Sequence, residues 1–341
     1  MTDLVVGGGA IGSLVALSLA AGGRDVAIVR RGLERPSRSG EVALAEPDKR
    51  IRIASVTEVR SPDDLAAPPD LIVFAVKMFD LEAAVQSCAG WPASVSLTPG
   101  NGMGAEEIVG RLRPTAGLIA GSITVSVDVR PDGRLVRLNR GGMGLAAVTD
   151  EVEPTLSAVA SALSAGGLRV GRYDDAAAMK WSKLVANLVG NASSAICDLA
   201  PDAIYADPRG FDVEREQLRE ALAVMRLAGL APVALPGADV RLLGAAIRLP
   251  RGLSRAILRR VVAGGRGGKD PSLRIHARAG SGESEVEWLN GAVASAAVAR
   301  GGTARVNAGL AELVAAVLVD EDRRSWFRGR PDRLADAVLA D

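Results

Sequence analysis

Histidine is almost missing from this chain of 341 residues: His276 is the only one, which leaves too few soft ligands for a typical zinc site. Cysteine is nearly as scarce. Cys88 and Cys197 fit neither a paired metal-binding spacing nor a disulfide framework. Aromatic residues make up 3% of the chain, so its cores must be built from Ala, Val, Leu and Ile, a palette suited to parallel strands covered by Ala-rich helices. Charge is balanced, 41 basic against 40 acidic residues, which argues against wholesale binding to nucleic acid or to an anionic membrane. No uninterrupted apolar run is long enough to span a bilayer. The apolar start, Leu4 to Ala21, is cut by glycines and lacks a charged leader. It reads as strand, turn and helix rather than a signal peptide, and the cytoplasm is the expected location.

What is present is length and pattern. The chain exceeds what one core usually serves, so two domains are expected. Residues 3–7 read as a strand, Ala10 to Ala21 as a helix and 25–30 as a second strand, followed by a hairpin within 41–56. Residues 70–77 (DLIVFAVK) are continuously apolar, as a doubly covered parallel strand should be. Further strands are expected at 94–98, within 117–140 around a turn at 131–133, and at 143–148 and 168–173. Beyond 174 almost everything has helical periodicity, with helices expected at 175–197, 211–228, 238–248, 253–263, 283–300 and 305–318. The fold class is therefore α/β: a Rossmann-type dinucleotide-binding domain over 1–174 and an all-helical domain over 175–341. The piece GGRGGKDP, 264–271, reads as a mobile loop between helices, and the order of the charged last twenty residues stays open.

Gly7, Gly9 and Gly12 form GxGxxG directly after a strand and before a helix. The first glycine permits a tight turn, the second lets backbone approach a pyrophosphate, and the third allows close helix–strand packing. Ala10 and Ile11 open the helix, whose N-terminus supplies the positive end of a dipole. The second strand ends not in a carboxylate but in Arg30-Arg31. A carboxylate there would bind the ribose 2′-hydroxyl of NAD, whereas arginine offers planar donors to the 2′-phosphate of NADP. NADPH is the expected cofactor; the alternative is that both arginines are solvated surface charges.

Lys77 follows the buried apolar strand, and Asn101 sits in a Gly-Asn-Gly turn after the next one, both at the sheet end where open α/β folds bind ligands. Taken alone, they are also an ordinary surface lysine and turn asparagine. Within KWSKLVANLVGNASSAI, 180–196, Lys183, Asn187 and Asn191 recur every four residues, so one helix face would present an ammonium and two amides. Two asparagines in an apolar helix need partners if buried; they suit a polar pocket, or else capping or interdomain hydrogen bonds. The basic stretch Arg251, Arg255, Arg259, Arg260, Arg266 and Lys269 lacks interleaved aromatics and reads as a solvated helix face rather than a nucleic-acid contact.

In order, the glycine turn, Lys77, Asn101, Lys183/Asn187/Asn191, Ser272, Glu285 within EVEWLNG, and Asn307 resemble the ketopantoate reductase (2-dehydropantoate 2-reductase) family over nearly the whole chain. The resemblance implies an NADPH-dependent reduction of 2-dehydropantoate to (R)-pantoate, a step of pantothenate biosynthesis, with a 2-oxo acid as partner and no metal required. It implies that Lys183 protonates the carbonyl oxygen and that Glu285 holds this lysine and bonds the new hydroxyl. Ser272, with arginine or amide neighbours, would bind the substrate carboxylate. Asn187 and Asn191 would orient the substrate, and Asn101 and Lys77 would line the cofactor and the active-site rim. It leaves monomer and homodimer both open. Where the family usually has Ser-Met-x-Gln-Asp, this chain has Ser272-Leu273-Arg274-Ile275-His276, and the spacing to Glu285 is one residue longer. These departures bear on which 2-oxo acid is bound, so a relative reducing a different 2-oxo acid is the nearest alternative. A non-catalytic NADPH-binding sensor is a further one.

Overall fold

The computed structural model describes residues 2–265, 270–280 and 282–340. It divides into two compact units, Met1–Lys180 with Leu235–Ala238, and Trp181–Ala234 with Asp239–Asp341.

The first unit contains an eleven-stranded sheet. Its strands and helices run β1 (Thr2–Val6), α1 (Ala10–Ala21), β2 (Asp25–Val29), β3 (Ser37–Ala45), β4 (Ile51–Val59), β5 (Leu71–Phe74), α2 (Met78–Gln86), β6 (Val95–Thr98), α3 (Ala105–Leu112), β7 (Leu118–Ile123), β8 (Val127–Val129), β9 (Leu135–Arg137), β10 (Met143–Ala147), α4 (Glu153–Ala165) and β11 (Val170–Tyr173). The order across the sheet is β11-β10-β7-β6-β5-β1-β2-β4-β3-β9-β8. From β7 to β4 neighbours are parallel. Antiparallel pairing enters where β3 returns along β4 and where β10 lies on β7. All four residues of β5 are buried, as expected of a strand covered on both faces. Val5, Leu14, Leu17, Val73, Leu97, Val159 and Leu163 belong to one apolar cluster joining strands to α1 and α4. Strand order reverses direction at β1, with β5 on one side and β2 on the other. Open α/β sheets bind ligands outside the carboxyl ends of their strands at such a switch point.

The helical region comprises α5 (Ala176–Leu188), α6 (Ala192–Cys197), α7 (Pro201–Ala206), α8 (Pro208–Leu227), α9 (Val240–Arg248), α10 (Arg251–Gly265), α11 (Ser272–Ala279), α12 (Asn290–Val298), α13 (Arg305–Val319), α14 (Glu321–Phe327) and α15 (Pro331–Leu339). Two-residue strands at Ala234–Leu235 and Ala238–Asp239 pair around Pro236-Gly237. None of the described helices is long and apolar enough to cross a membrane.

Two expectations need correction. The helix read over 175–197 is two, because Gly190 takes a left-handed φ of +59° and ends the first. The helix read over 283–300 begins only at Asn290, after a short 3₁₀ turn at Val286–Trp288. The charged tail, whose order the sequence left open, forms α14 and α15, which bury Phe327, Leu334 and Val338. Residues 266–269, the middle half of the glycine-rich piece expected to be mobile and including Arg266 and Lys269, lie outside the described residues.

Candidate functional site

The switch point is lined by three turns. After β1, Gly7 adopts φ +114°, and a Cβ there would stand 2.4 Å from the Ala75 carbonyl oxygen at the end of β5. A Cβ on Gly12 would lie 1.8 Å from the Gly7 carbonyl oxygen, so α1 can start this close to β1 only with glycine at both positions. Gly9 is the exposed N-cap of α1 with no side-chain capping bond, and nothing lies within 4 Å of where its Cβ would be. Ala10 and Ile11 follow, half-buried, in a first turn whose amides lack intrahelical acceptors. The backbone here is open to a ligand and carries the dipole of α1.

After β5, Lys77 caps α2 in an extended conformation. After β6 comes Pro99-Gly100-Asn101-Gly102, whose Gly102 has φ +90°. Asn101 is half-buried, and its Oδ1 has no hydrogen-bond partner among the described residues. A buried amide oxygen without a partner is costly, and it fits a ligand donor at this place.

This turn is held from below by a residue to which sequence reading attached no role. Lys180, 4% exposed, donates from Nζ to the carbonyls of Gly100 at 3.2 Å and Gly121 at 3.3 Å. It also pairs with Glu106 at 3.0 Å, whose Oε1 accepts from Thr98 Oγ1 at 2.7 Å. The ammonium thus ties the ends of β6, β7 and α3 together. Its only sequence signal was a lysine in the apolar run AAAMKW.

At the end of β2, Arg30 is partly buried. It donates from Nη1 to the Gly8 carbonyl and from Nε to Glu58 at 3.3 Å. Arg31 is 92% exposed and pairs with Asp80 at 3.6 Å. The two arginines are therefore not equivalent: Arg30 is folded over the glycine turn and Arg31 stands in solvent.

In the helical unit, Lys183 and Asn187 share one face of α5, Nζ donating to Oδ1 at 3.2 Å. Asn191 does not continue that stripe, which corrects the reading of one face carrying all three. The break at Gly190 makes Asn191 the N-cap residue of α6, 2% exposed, where its Oδ1 accepts the Leu273 amide at 3.2 Å. It thereby fixes the start of α11, beside Ser272. The break is itself anchored by Glu214 of α8, fully buried, which accepts the Gly190 amide at 2.7 Å and the Ser193 hydroxyl.

Glu285 is buried and opens the 3₁₀ turn that leads to α12. Asn290, five residues on, is held by Gln217 and Asn307, each at 3.0 Å. Asn307 in turn donates to Glu220 at 2.7 Å, and burial raises the Glu220 carboxyl above its usual range despite the amides of Val306 and Asn307. The EVEWLNG segment and Asn307 are thus joined by a buried polar lattice across α8, α12 and α13.

The altered segment after Ser272 also has a structural account. All three guanidinium nitrogens of Arg274 are engaged, with the Asp198 carboxylate at 3.2 Å, its carbonyl at 2.9 Å and Asp270 at 2.7 Å. Arg278 joins the same two aspartates. Partial burial pushes Asp198 up, but Arg278 and Arg274 outweigh it and hold the carboxyl below its usual range. His276 lies half-buried in the last turn of α11. In the basic stretch, Arg251 is committed to Asp212 at 2.6 Å, while Arg259 and Arg260 are exposed on α10.

Comparison with known proteins agrees with this layout. The family model described as Ketopantoate reductase PanE/ApbA matches residues 4–149, and its C-terminal companion matches residues 175–318. A 2-dehydropantoate 2-reductase of Halobacterium salinarum is 25% identical over 301 residues, covering 86% of this chain and 91% of that protein. One of Archaeoglobus fulgidus is 25% identical over 228 residues, 66% of this chain and 74% of that protein. The fold is similar to the crystal structure of a PanE/ApbA family ketopantoate reductase from Ralstonia eutropha JMP134, with a TM-score of 0.75 at 22% identity over 95% of this chain and 100% of that one. It is equally similar to a D-mandelate dehydrogenase with NADH and anilino(oxo)acetate, with a TM-score of 0.76 at 18% identity over 95% and 100% of the two chains. With both family models matched in order along its length, the chain belongs to the ketopantoate reductase family and is an oxidoreductase.

Proposed function

We propose that the protein reduces 2-dehydropantoate to (R)-pantoate with NADPH. The observation that carries this reading is the backbone cradle at the end of β1, with open approach at Gly9, and the unsatisfied Asn101 oxygen in the turn after β6, two strands along the same sheet. These residues fit a dinucleotide. Gly7, Gly9, Ala10, Ile11 and Gly12 would hold its pyrophosphate, Arg30 and Arg31 its adenosine end, and Lys77 and Asn101 its nicotinamide end. When bound, it supplies a hydride to the carbonyl carbon.

The chain's own work is electrostatic and acid–base. Hydride addition leaves an alkoxide, which the Lys183 ammonium stabilises and then protonates. Asn187 keeps Lys183 in place and orients the substrate. Glu285 steadies the lysine and accepts a hydrogen bond from the new hydroxyl, Ser272 donates to the substrate carboxylate, and Asn191 sets the backbone on which Ser272 sits.

A second reading keeps the chemistry and changes the acid. It is favoured by Ile275 and His276 standing in place of Gln-Asp and by Arg274 being fully committed to Asp198 and Asp270. It also accords with the D-mandelate dehydrogenase neighbour, a protein crystallised with an oxoacetate. Initial rates of the full chain with 2-dehydropantoate, comparing NADPH with NADH and then a panel of 2-oxo acids, decide between them. The first reading expects the highest kcat/KM with 2-dehydropantoate and NADPH. Efficient turnover of another acid with none of 2-dehydropantoate rejects it in favour of the second.

A further inference from the structure

Two strands beyond β2 bring more charge to the sheet end where Arg30 lies. β4 runs parallel to β2 with Glu58 opposite Ile28, and β3 runs antiparallel to β4 with Arg38 opposite Glu58. Because β3 is reversed, its first residues meet the carboxyl ends of β2 and β4. Glu58 is only 9% exposed at its side chain. Its Oε1 accepts from Arg30 Nε at 3.3 Å and its Oε2 from Arg38 Nε at 2.6 Å. Gly40 on β3 makes room for this carboxylate, since a Cβ there would lie 2.7 Å from Glu58 Cγ and Cδ. Arg30 also reaches the Gly8 carbonyl within the glycine turn. Arg38 is 62% exposed at its side chain, and among the described residues its two Nη groups take no hydrogen bond.

A single buried carboxylate thus grips two guanidiniums by one edge each and leaves their remaining donors turned elsewhere. Two positive charges against one negative give a local surplus, next to the turn that would carry a dinucleotide. Planar forks fixed in this way match a phosphomonoester, which accepts several charge-assisted bonds at once. We infer that Glu58 and Gly40 preset Arg30 and Arg38 as a two-armed clamp for the 2′-phosphate of the dinucleotide. Arg38 is then a specificity-determining residue that the end of β2 alone does not reveal. The inference rests on the NADPH reading above. It explains how a carboxylate can stand beside a 2′-phosphate: both its oxygens are already neutralised. NADH lacks the phosphate, so Arg38 has nothing to hold in that complex.

The test is direct binding of NADPH and NADH to the full chain, wild type against Arg38→Ala and Arg38→Lys, by fluorescence titration, with thermal melts of each. The expected result for Arg38→Ala is a Kd for NADPH raised about tenfold, the size of one lost charge-assisted contact, with NADH binding unchanged and Tm lowered by loss of the Arg38–Glu58 pair. Arg38→Lys should fall between, keeping the charge and losing the fork. Equal weakening for both nucleotides, or unchanged NADPH binding in a protein that still prefers NADPH, overturns the clamp and leaves the NADPH reading standing. A wild-type protein that binds NADH as tightly as NADPH overturns both.

Discussion

In the sheet-containing unit the candidate cradle for a pyrophosphate is main chain, a turn at Gly7 to Gly12 and the N-terminus of α1, and side chains such as Arg30 and Asn101 enter only around it. In the helical unit the candidate elements are side chains, Lys183, Asn187, Ser272 and Glu285, held by a second set of buried polar groups. Glu214 pins the break at Gly190. Asn191 sets α11, and Gln217 and Asn307 hold Asn290 downstream of Glu285. The difference has a consequence for mutation. A main-chain cradle is damaged by anything that adds volume at a glycine, and a side-chain site by anything that unsettles its supports. The two lysines of α5 show the contrast within one helix: Lys180 is caged by two carbonyls and a carboxylate, while Lys183 is half-buried with an amide partner.

The sharpest way to break this comparison is Lys183→Ala. If Lys183 is the proton donor, kcat should fall by about 10²- to 10⁴-fold, the range for loss of a general acid. KM should change far less, and NADPH binding, which the proposed site assigns to residues of the other unit, should not change. A variant that keeps its kcat would show that the helical unit contributes binding and no chemistry.

Next in size is Lys180→Met. It removes the cation and leaves Glu106, 13% exposed at its side chain, without its partner. Breaking a largely buried pair costs about 3–5 kcal/mol, most of it from the stranded charge. Urea denaturation should therefore show a large loss of stability. Lys180→Met/Glu106→Leu should recover much of it, because two apolar groups of similar volume replace the pair. The double variant then isolates the second job of Lys180. With the fold restored but the Gly100 carbonyl released, cofactor affinity should remain below wild type. Full recovery of both would make Lys180 a packing element and nothing more.

These two lysines also mark how far the sequence could be read. The glycine turn, α1 and the buried β5 were legible because their determinants are local: three glycines at fixed spacing and an unbroken apolar run rich in β-branched residues. Lys183 and Asn187 were legible as neighbours at helical spacing. Asn191 was read onto the same face because a period of four carries no warning that Gly190 turns left-handed, and that turn depends on Glu214, 24 residues away. Lys180 carried no motif, since the groups it binds lie 59 and 80 residues earlier in the chain. Arg38 was invisible for a related reason: its place beside Arg30 follows from β3 reversing along β4, and strand pairing is not written in either strand alone. The assignments of Ser272 and Glu285 came from family likeness, and their supports, Asn191, Asn290 and Asn307, could be recognised as a lattice only in three dimensions.

The smallest expected effect compares the two interiors themselves through their cysteines, one in each unit. Burial pushes the Cys88 thiol up to about 11 and the Cys197 thiol up to about 12, against an ordinary value of about 8.5. A thiol whose pKa is raised by folding favours the native state below its unfolded pKa. That advantage is lost as pH rises toward the folded value, because only the unfolded chain can release the proton. Between pH 8 and pH 10 each cysteine should therefore cost about 2 kcal/mol of stability at most, read as a falling urea midpoint. Cys88→Ala and Cys197→Ala should each remove one share of that slope. Equal shares would mean that the sheet core and the helical core exclude an anion alike, so that the polar lattice of the helical unit shelters its own members without wetting the interior around Cys197. A share missing for Cys197 alone would mean that the lattice admits water, and the two units would then differ in their cores as well as in how they build their sites.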